Sequence, residues 1–95
     1  MRKHVHLTPV HPGRVLQDEL EELGITQSAL AKHIGVFPKT INEICREKRG
    51  LSAEMAMKLS QALGASPQFW FNLQSNWELS QVNDKHYKGI DALVA

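Results

Sequence analysis

Hydrogen-bonding side chains are concentrated between residues 39 and 46, in types that could read the base edges of a DNA double helix. Lysine and arginine donate to guanine, asparagine pairs with adenine, glutamate accepts from cytosine, and threonine offers a hydroxyl and a methyl group. On one face of a predicted helix lie Lys39, Thr40, Asn42, Glu43 and Arg46. The N-terminal residues of such a helix reach deepest into a groove, so we favour Lys39, Thr40 and Glu43 as base contacts. Asn42 comes next.

Two further sets of residues suit contacts to a phosphate backbone. Lys48 and Arg49 lie at the far end of the same helix, where they would add affinity without sequence information. Gln27 and Ser28 open the preceding helix, whose exposed N-terminal amides also suit a phosphate. A polar helix face alone is more often only a solvated surface. The elements that position these residues therefore decide between the two interpretations.

Apolar residues recur at spacings of three, four and seven, which fit a helical period of 3.6 and not the alternation of a strand. Each predicted helix except the last is followed by a glycine, a residue that often closes helices. The predicted helices span residues 12–23, 27–34, 38–48, 53–63 and 67–81. The residues expected to face the core are Leu16, Leu20, Leu23, Leu30, Ala31, Ile34, Ile41, Ile44, Cys45, Met55, Ala56, Leu59, Leu63, Phe69 and Leu73. No strand is predicted before residue 85, so the fold class is all-α.

The second and third helices are short and joined by a tight turn, which requires a steep crossing with a small residue inside the corner. Ala31 is that residue, and Gly35 permits the sharp reversal. This arrangement predicts a helix-turn-helix, in which the third helix stands out from the surface and can enter a major groove. We therefore expect an N-terminal arm (1–10), a helix-turn-helix domain (11–82) and a C-terminal tail (83–95).

The length of 95 residues suits one domain, and 42% hydrophobic with 22% charged residues is typical of a folded chain. No apolar run approaches the ~20 residues that a membrane helix needs. The single cysteine excludes an internal disulfide, and we expect a cytoplasmic protein. The net charge of +1 conceals a basic middle third: residues 26–58 carry six Lys and Arg against three Glu.

Three sequence stretches resemble the HigA-type antitoxins, relatives of virulence-associated protein I in the Xre/Cro group of helix-turn-helix proteins. They are His11–Gly13, Ile41–Ile44 with Lys48–Gly50, and Ser66–Gln74. The resemblance implies a lambda-repressor-like fold and a homodimer that binds a palindromic operator in its own promoter. It also implies a partner toxin of the HigB type, a small ribonuclease that cuts mRNA. The family varies at residues 37–40 and 45–47, so the operator sequence cannot be carried over.

No residue pattern indicates an enzyme or a cofactor. His4 and His6, with His11 nearby, could bind a metal, but residues 1–11 hold no cysteine or carboxylate to complete a site, and a flexible arm is favoured. Cys45 lies beside the core stripe, where a buried thiol is favoured over a nucleophile. The GxSxG, P-loop and HExxH motifs are absent. We expect no metal, cofactor or small-molecule substrate.

Consecutive aromatic residues in the fifth helix predict a second interface. Successive helical residues lie ~100° apart, so Phe69, Trp70 and Phe71 cannot all point into one core. A symmetric dimer is the commonest use of such a surface, although a purely intradomain core stays possible. The residues assigned to the dimer interface are Phe69, Trp70, Phe71, Trp77, Tyr87 and Ile90. The apolar tail could extend this interface as a short strand or helix, or could bind a toxin.

These observations leave three hypotheses. The first is a dimeric antitoxin that represses its own operon, and the second is a transcriptional regulator of the same fold without a toxin. A neighbouring reading frame for a small basic protein separates these two. The third hypothesis is a protein-binding module whose helix-turn-helix no longer binds DNA, and a DNA-binding assay at low salt separates it from the others.

Overall fold

In the computed structural model, which describes residues 9–82 and 86–94, five α-helices account for the regular structure. They are α1 (Pro12–Leu23), α2 (Gln27–Ile34), α3 (Pro38–Cys45), α4 (Ala53–Leu63) and α5 (Pro67–Ser80). No strand occurs in this described part, so the predicted all-α class is confirmed. The predicted bounds of α1, α2 and α4 agree with the structure, while α5 ends one residue earlier than predicted. Most of the predicted N-terminal arm lies outside the described residues.

The helices pack around one core, with α1 against α3 and α5, and α4 against α2 and α5. The buried hydrophobic residues are Val15, Leu16, Leu20, Leu30, Ala31, Ile41, Ile44, Leu51, Met55, Ala56, Leu59 and Trp70. Leu23 is half exposed, so its predicted place in the core is wrong. It is the last residue of α1, directly before the chain reverses at Gly24, while Val15 fills the core earlier in the same helix.

The end of α3 differs from the prediction. The helix stops at Cys45 and not at Lys48, because Glu47 takes the left-handed backbone conformation with φ 61°. The N–H of Lys48 donates to the carbonyl of Glu43 at 2.8 Å, and the N–H of Glu47 donates to that of Ile44 at 2.9 Å. This pair of hydrogen bonds closes a helix in the way that glycine usually allows. Here the residue in this conformation is Glu47, and the glycine positions in the sequence do not predict it.

Gly50, predicted to end α3, has a different role. A Cβ atom at this position would lie 2.9 Å from Nε2 of Gln74, so glycine lets α5 approach the loop after α3. Gln74 is buried, and its Oε1 accepts a hydrogen bond from the N–H of Leu51 at 2.6 Å. Its Nε2 donates to Oε2 of Glu78 at 2.6 Å. Two of the stretches that resemble the antitoxins, 48–50 and 66–74, therefore meet at this contact.

The third such stretch joins α1 to α3 and α5. The ring of His11 is buried, and its Nδ1 accepts a hydrogen bond from the N–H of Gly13 at 2.9 Å. The same ring packs edge-on against Trp77, with 4.8 Å between the centroids. A Cβ atom on Gly13 would lie 1.7 Å from the carbonyl oxygen of Ile44, so α1 and α3 touch backbone to backbone. His11 thus begins a helix and does not belong to a flexible arm.

The C-terminal tail contains one turn at residues 86–89 and is exposed throughout residues 86–94. The strand that the sequence left open for this segment is not formed in residues 86–94, where helical geometry is limited to a single 3₁₀ residue, His86. His4 and His6 lie outside the described residues. No group of three or more His, Cys, Asp or Glu within the described ranges could hold a metal ion. No helix in those ranges is long and apolar enough to cross a membrane.

Candidate nucleic-acid interface

The corner between α2 and α3 has the predicted geometry. Gly35 adopts φ 74° immediately after α2, and the N–H of Val36 donates to the carbonyl of Ala31 at 2.9 Å. Ala31 has no exposed surface, which confirms its place inside the corner. Ile41 and Ile44 anchor the inner face of α3 in the core. The outer face of α3 is consequently fixed in direction by the packing beneath it.

That outer face presents the residues predicted to read bases. Lys39, Asn42 and Arg46 are exposed and recur at spacings of three and four, which places them on one stripe. Thr40 and Glu43 lie beside this stripe and are half-buried. The face therefore offers donors from lysine, arginine and asparagine at its centre, and a hydroxyl and a carboxylate at its edge.

A chain of side-chain hydrogen bonds connects this face to α1 and α2. Nδ2 of Asn42 donates to Oε1 of Gln27 at 3.2 Å. Nε2 of Gln27 donates to Oε1 of Gln17 at 2.9 Å, and Nε2 of Gln17 donates to Oε2 of Glu21 at 2.8 Å. Because both polar atoms of the Gln27 amide are engaged, this residue orients Asn42. Gln17 and Glu21 lie four residues apart on one face of α1, and neither of them was predicted from the sequence to belong to the site.

Glu43 lies between two cations of the same region. Its Oε1 accepts from Nε of Arg49 at 3.0 Å and lies 2.8 Å from Nη2, while Oε2 is 4.0 Å from Nζ of Lys39. Arg49, predicted to contact phosphate, is thus held against a predicted base reader. Arg46 and Lys48 are exposed and form no ion pair with any residue that the structure describes. Ser28 is exposed in the first turn of α2.

Burial suppresses the reactivity of Cys45. The thiol at the end of α3 is half-buried, and burial raises its pKa to about 11. A protonated thiol is a poor nucleophile, so Cys45 has the character of a small apolar residue packed beside the core.

The aromatic residues of α5 separate into core and surface. Trp70 has no exposed surface, so its predicted place in a dimer interface is wrong: it fills the centre of the core and has no surface left for a partner. Phe69 and Trp77 are half-buried. Phe71 is 39% exposed, which confirms that the three consecutive aromatic residues do not all point inward. Tyr87 and Ile90 in the tail are exposed, as a role in an interface requires.

An apolar face runs along α5 on the side away from the core. Phe71, Leu79 and Val82 border a groove of about 420 Å³, together with Ser75 and Glu78. Leu79 exposes 72% of its surface and Val82 exposes 44%. Three exposed apolar residues around one groove mark an interaction surface more often than an isolated exposed residue does. We call these residues, Phe71, Ser75, Glu78, Leu79 and Val82, the α5 outer face.

A family model described as helix-turn-helix matches residues 16–70. Virulence-associated protein A' of Dichelobacter nodosus is 42% identical over 78 residues, which cover 81% of this chain and 68% of that protein. Antitoxin HigA-1 of Vibrio cholerae is 38% identical over 79 residues, covering 82% of this chain and 74% of the other. The chain therefore belongs to the helix-turn-helix family, in the group that contains the HigA antitoxins and the virulence-associated proteins.

Solved structures agree with this assignment. Antitoxin HigA of Pseudomonas aeruginosa, determined with the higBA promoter, matches with a TM-score of 0.84 and 43% identity. The match covers 90% of this chain and 99% of that one. The five-helix helix-turn-helix fold predicted from the sequence is thereby confirmed.

Proposed function

We propose that this chain is a dimeric, sequence-specific DNA-binding antitoxin, which represses its own operon and neutralises a HigB-type, mRNA-cleaving toxin. The observation that carries the proposal is the outer face of α3. Its exposed Lys39, Asn42 and Arg46 stand clear of the core, and Asn42 is oriented by Gln27. The similarity to an antitoxin that was solved with its promoter supports DNA as the ligand of this face.

The mechanism places one α3 helix in each of two successive major grooves of a palindrome, ~34 Å apart. Lys39, Thr40, Asn42, Glu43 and Arg46 contact base edges. Phosphate contacts come from Gln27, Ser28, Lys48 and Arg49, of which Gln27 acts mainly through Asn42 in the free protein. In the complex with DNA, Arg49 gives up its ion pair with Glu43 and contacts a phosphate instead. The basic excess of residues 26–58, in a chain with a net charge of only +1, gives modest nonspecific affinity and leaves specificity to these placed contacts.

Dimerisation sets the spacing of the two α3 helices. The α5 outer face supplies the apolar surface for a symmetric contact. The other residues proposed for the interface are Phe69 and Trp77, which are half-buried, and Tyr87 and Ile90, which are exposed. A twofold interface is self-complementary, so this one face on each protomer is sufficient. Such a dimer matches the twofold symmetry of a palindromic operator.

The DNA-binding part is tested with the duplex that lies upstream of this reading frame. Binding is measured by fluorescence anisotropy at ~50 and ~200 mM salt, with a shuffled duplex of the same composition as the control. The proposal expects tighter binding to the upstream duplex at both salt concentrations, with affinity for both duplexes falling as salt rises. Equal binding to the two duplexes, or no binding at ~50 mM salt, contradicts it and favours a protein-binding module.

The toxin part depends on the neighbouring reading frame, which should encode a small basic protein of ~90–110 residues, a size that follows from the resemblance to the family. Induction of that protein alone should arrest growth and degrade mRNA, and co-expression of this chain should restore growth. If no such frame exists, or if co-expression does not restore growth, the chain is a regulator of the same fold without a toxin. In either role it acts without catalysis, in the cytoplasm, where the operator and the mRNA are found.

A further inference from the structure

Phe37 is an exposed aromatic residue directly before α3. It exposes 81% of its surface and does not belong to the core or to the partly buried shell around it. A single exposed apolar residue is ordinary on a protein surface. Its position is what sets this one apart, because it occupies the N-cap of the helix that carries the proposed base readers.

Phe37 leaves the N-terminus of α3 without a side-chain cap, whereas the other four helices of the described chain each have one. In each of those helices the capping side chain accepts a hydrogen bond from a backbone N–H of the first turn. These caps are His11, Thr26, Ser52 and Ser66. Phe37 has the same extended backbone, with φ −71° and ψ 141°, and makes no such bond. Thus α3 begins with a residue that stabilises neither the helix nor the core.

The place of Phe37 indicates what could cover its ring. It is followed by Pro38 and then by Lys39, whose side chain is 82% exposed. The N-terminal end of a recognition helix approaches the base edges most closely. Lysine, asparagine and arginine on the α3 face read donors and acceptors and do not detect an apolar group. The methyl of Thr40 could do so, but Thr40 is half-buried beside the stripe, whereas the ring of Phe37 is exposed. In the major groove the apolar group is the C5-methyl of thymine, which phenylalanine contacts favourably.

We propose that Phe37 is a specificity-determining residue that packs against a thymine C5-methyl group in each half of the operator. The inference rests on the proposed function, since it needs α3 to lie in the major groove. The proposal is that the exposed ring contacts DNA. A ring that instead contacts the toxin or the second protomer would overturn the proposal.

The test removes the methyl group from the DNA instead of changing the protein. Each thymine of the bound duplex is replaced in turn by deoxyuridine, which pairs identically but lacks the C5-methyl. The wild-type chain should lose about fourfold in affinity at one thymine per half-site, which corresponds to about 0.8 kcal/mol for one apolar carbon removed from contact. Phe37→Ala should bind the unmodified duplex more weakly and lose this sensitivity to deoxyuridine. Phe37→Leu should keep part of it, and Met57→Ala, an exposed residue on α4, should keep all of it.

A second readout excludes a merely structural effect of the substitution. Phe37→Ser supplies the missing cap, so its melting temperature should rise by several degrees while its operator affinity falls. The inference is overturned if the wild type binds every deoxyuridine duplex equally well, or if Phe37→Ala retains the sensitivity. It is also overturned if Phe37→Ala leaves operator binding unchanged while weakening the dimer or the toxin complex. A wild-type chain that does not bind its upstream DNA at all contradicts the proposed function itself, which is a distinguishable result.

Discussion

At the scale of single residues, Glu43 is the side chain that restrains the charge of the proposed DNA-binding surface. Its carboxylate holds Arg49 through Oε1 and lies 4.0 Å from Lys39 through Oε2. Both cations are therefore partly neutralised in the free protein. A glutamate at this position lowers the affinity for phosphate and at the same time offers an acceptor to a base. The first effect should act on any DNA, and the second only on the operator.

We predict that Glu43→Gln strengthens binding to unrelated DNA, because it frees Arg49, a proposed phosphate contact, from its pairing with Glu43. The slope of log affinity against log salt should steepen by about one, since one more phosphate charge is neutralised. Measurement of anisotropy with a shuffled duplex at several salt concentrations gives both quantities. Glu54→Gln, which disrupts an exposed pair with Lys58 on α4, is the matched control and should leave the slope unchanged. An unchanged slope for Glu43→Gln would show that the pairing does not restrain phosphate binding.

We predict that His11 makes the stability of the fold depend on pH. Burial lowers the pKa of His11 from its usual 6.5, and the carboxylate of Glu47 acts more weakly in the opposite direction. The unfolded chain therefore binds more protons than the folded one as the pH falls below 6.5. The contribution of His11 to the free energy of unfolding is therefore fully present above pH 6.5. It is lost as the pH falls through the pKa that His11 has in the folded state. Protonation of Nδ1 would also break the bond from the Gly13 N–H.

Urea unfolding at a series of pH values between 5 and 7.5 measures this effect. The free energy of unfolding of the wild type should fall as the pH decreases through this range. His11→Asn keeps a capping acceptor and has no titrating group, so the decline should be shallower in this variant. His33→Asn, an exposed histidine on α2, serves as the control and should decline as the wild type does. Equal slopes for His11→Asn and the wild type would remove His11 as the cause.

At the scale of elements, the contact between α1 and α3 fixes the base of the DNA-facing helix. Alanine usually stabilises a helix relative to glycine, by about 1 kcal/mol. Gly13→Ala should do the opposite, because its Cβ would meet the backbone oxygen of Ile44 at 1.7 Å. We predict a loss of about 2–3 kcal/mol in the free energy of unfolding, measured by urea denaturation. Gly89→Ala, with nothing within 4 Å of its Cβ, should change stability little. A neutral or stabilising Gly13→Ala would contradict the packing described here.

The elements also show what sequence could and could not predict. Periodicity, caps and glycines predicted the ends of three helices because those signals are local. The end of α3 was predicted three residues too late, because Glu47 takes a backbone conformation that a glutamate seldom adopts. Nothing in the neighbouring sequence indicates this conformation. Gly50 was assigned to a helix end, whereas its reason is contact with Gln74, distant in the chain.

Among the candidate site residues, the outer face of α3 followed from spacing alone, since a buried stripe leaves its opposite face exposed. The hydrogen-bond partners of those residues could not be predicted from spacing. Gln17 reaches Asn42 only through Gln27, and Arg49 reaches Glu43 across the turn that ends α3. The sequence predicted that at least one of the three consecutive aromatic residues faces away from the core. It did not predict that Trp70 is the buried one, because this depends on how α5 packs on the core.

At the scale of the whole molecule, the proposed function requires two copies of the chain with a fixed spacing. The α5 outer face supplies the surface, and Leu79 is its most exposed large residue. Leu79→Glu should shift the protein from dimer to monomer at micromolar concentrations, since two charges would face each other across a twofold axis. Analytical ultracentrifugation measures this shift. Leu23→Glu, at the half-exposed end of α1, should remain dimeric. If Leu79→Glu is as dimeric as the wild type, the interface lies elsewhere.

The central claim is that the outer face of α3 reads the bases of this chain's own operator. The most direct measurement compares the operator affinity of the wild type with that of Asn42→Ala, on the natural duplex and on duplexes with single base-pair changes. Asn76→Ala, an exposed asparagine on α5, is the matched control. The account predicts that Asn42→Ala loses roughly tenfold or more in affinity and no longer discriminates at one A·T pair in each half-site, while Asn76→Ala behaves as the wild type. Equal affinity and equal base preference for the two variants would contradict it.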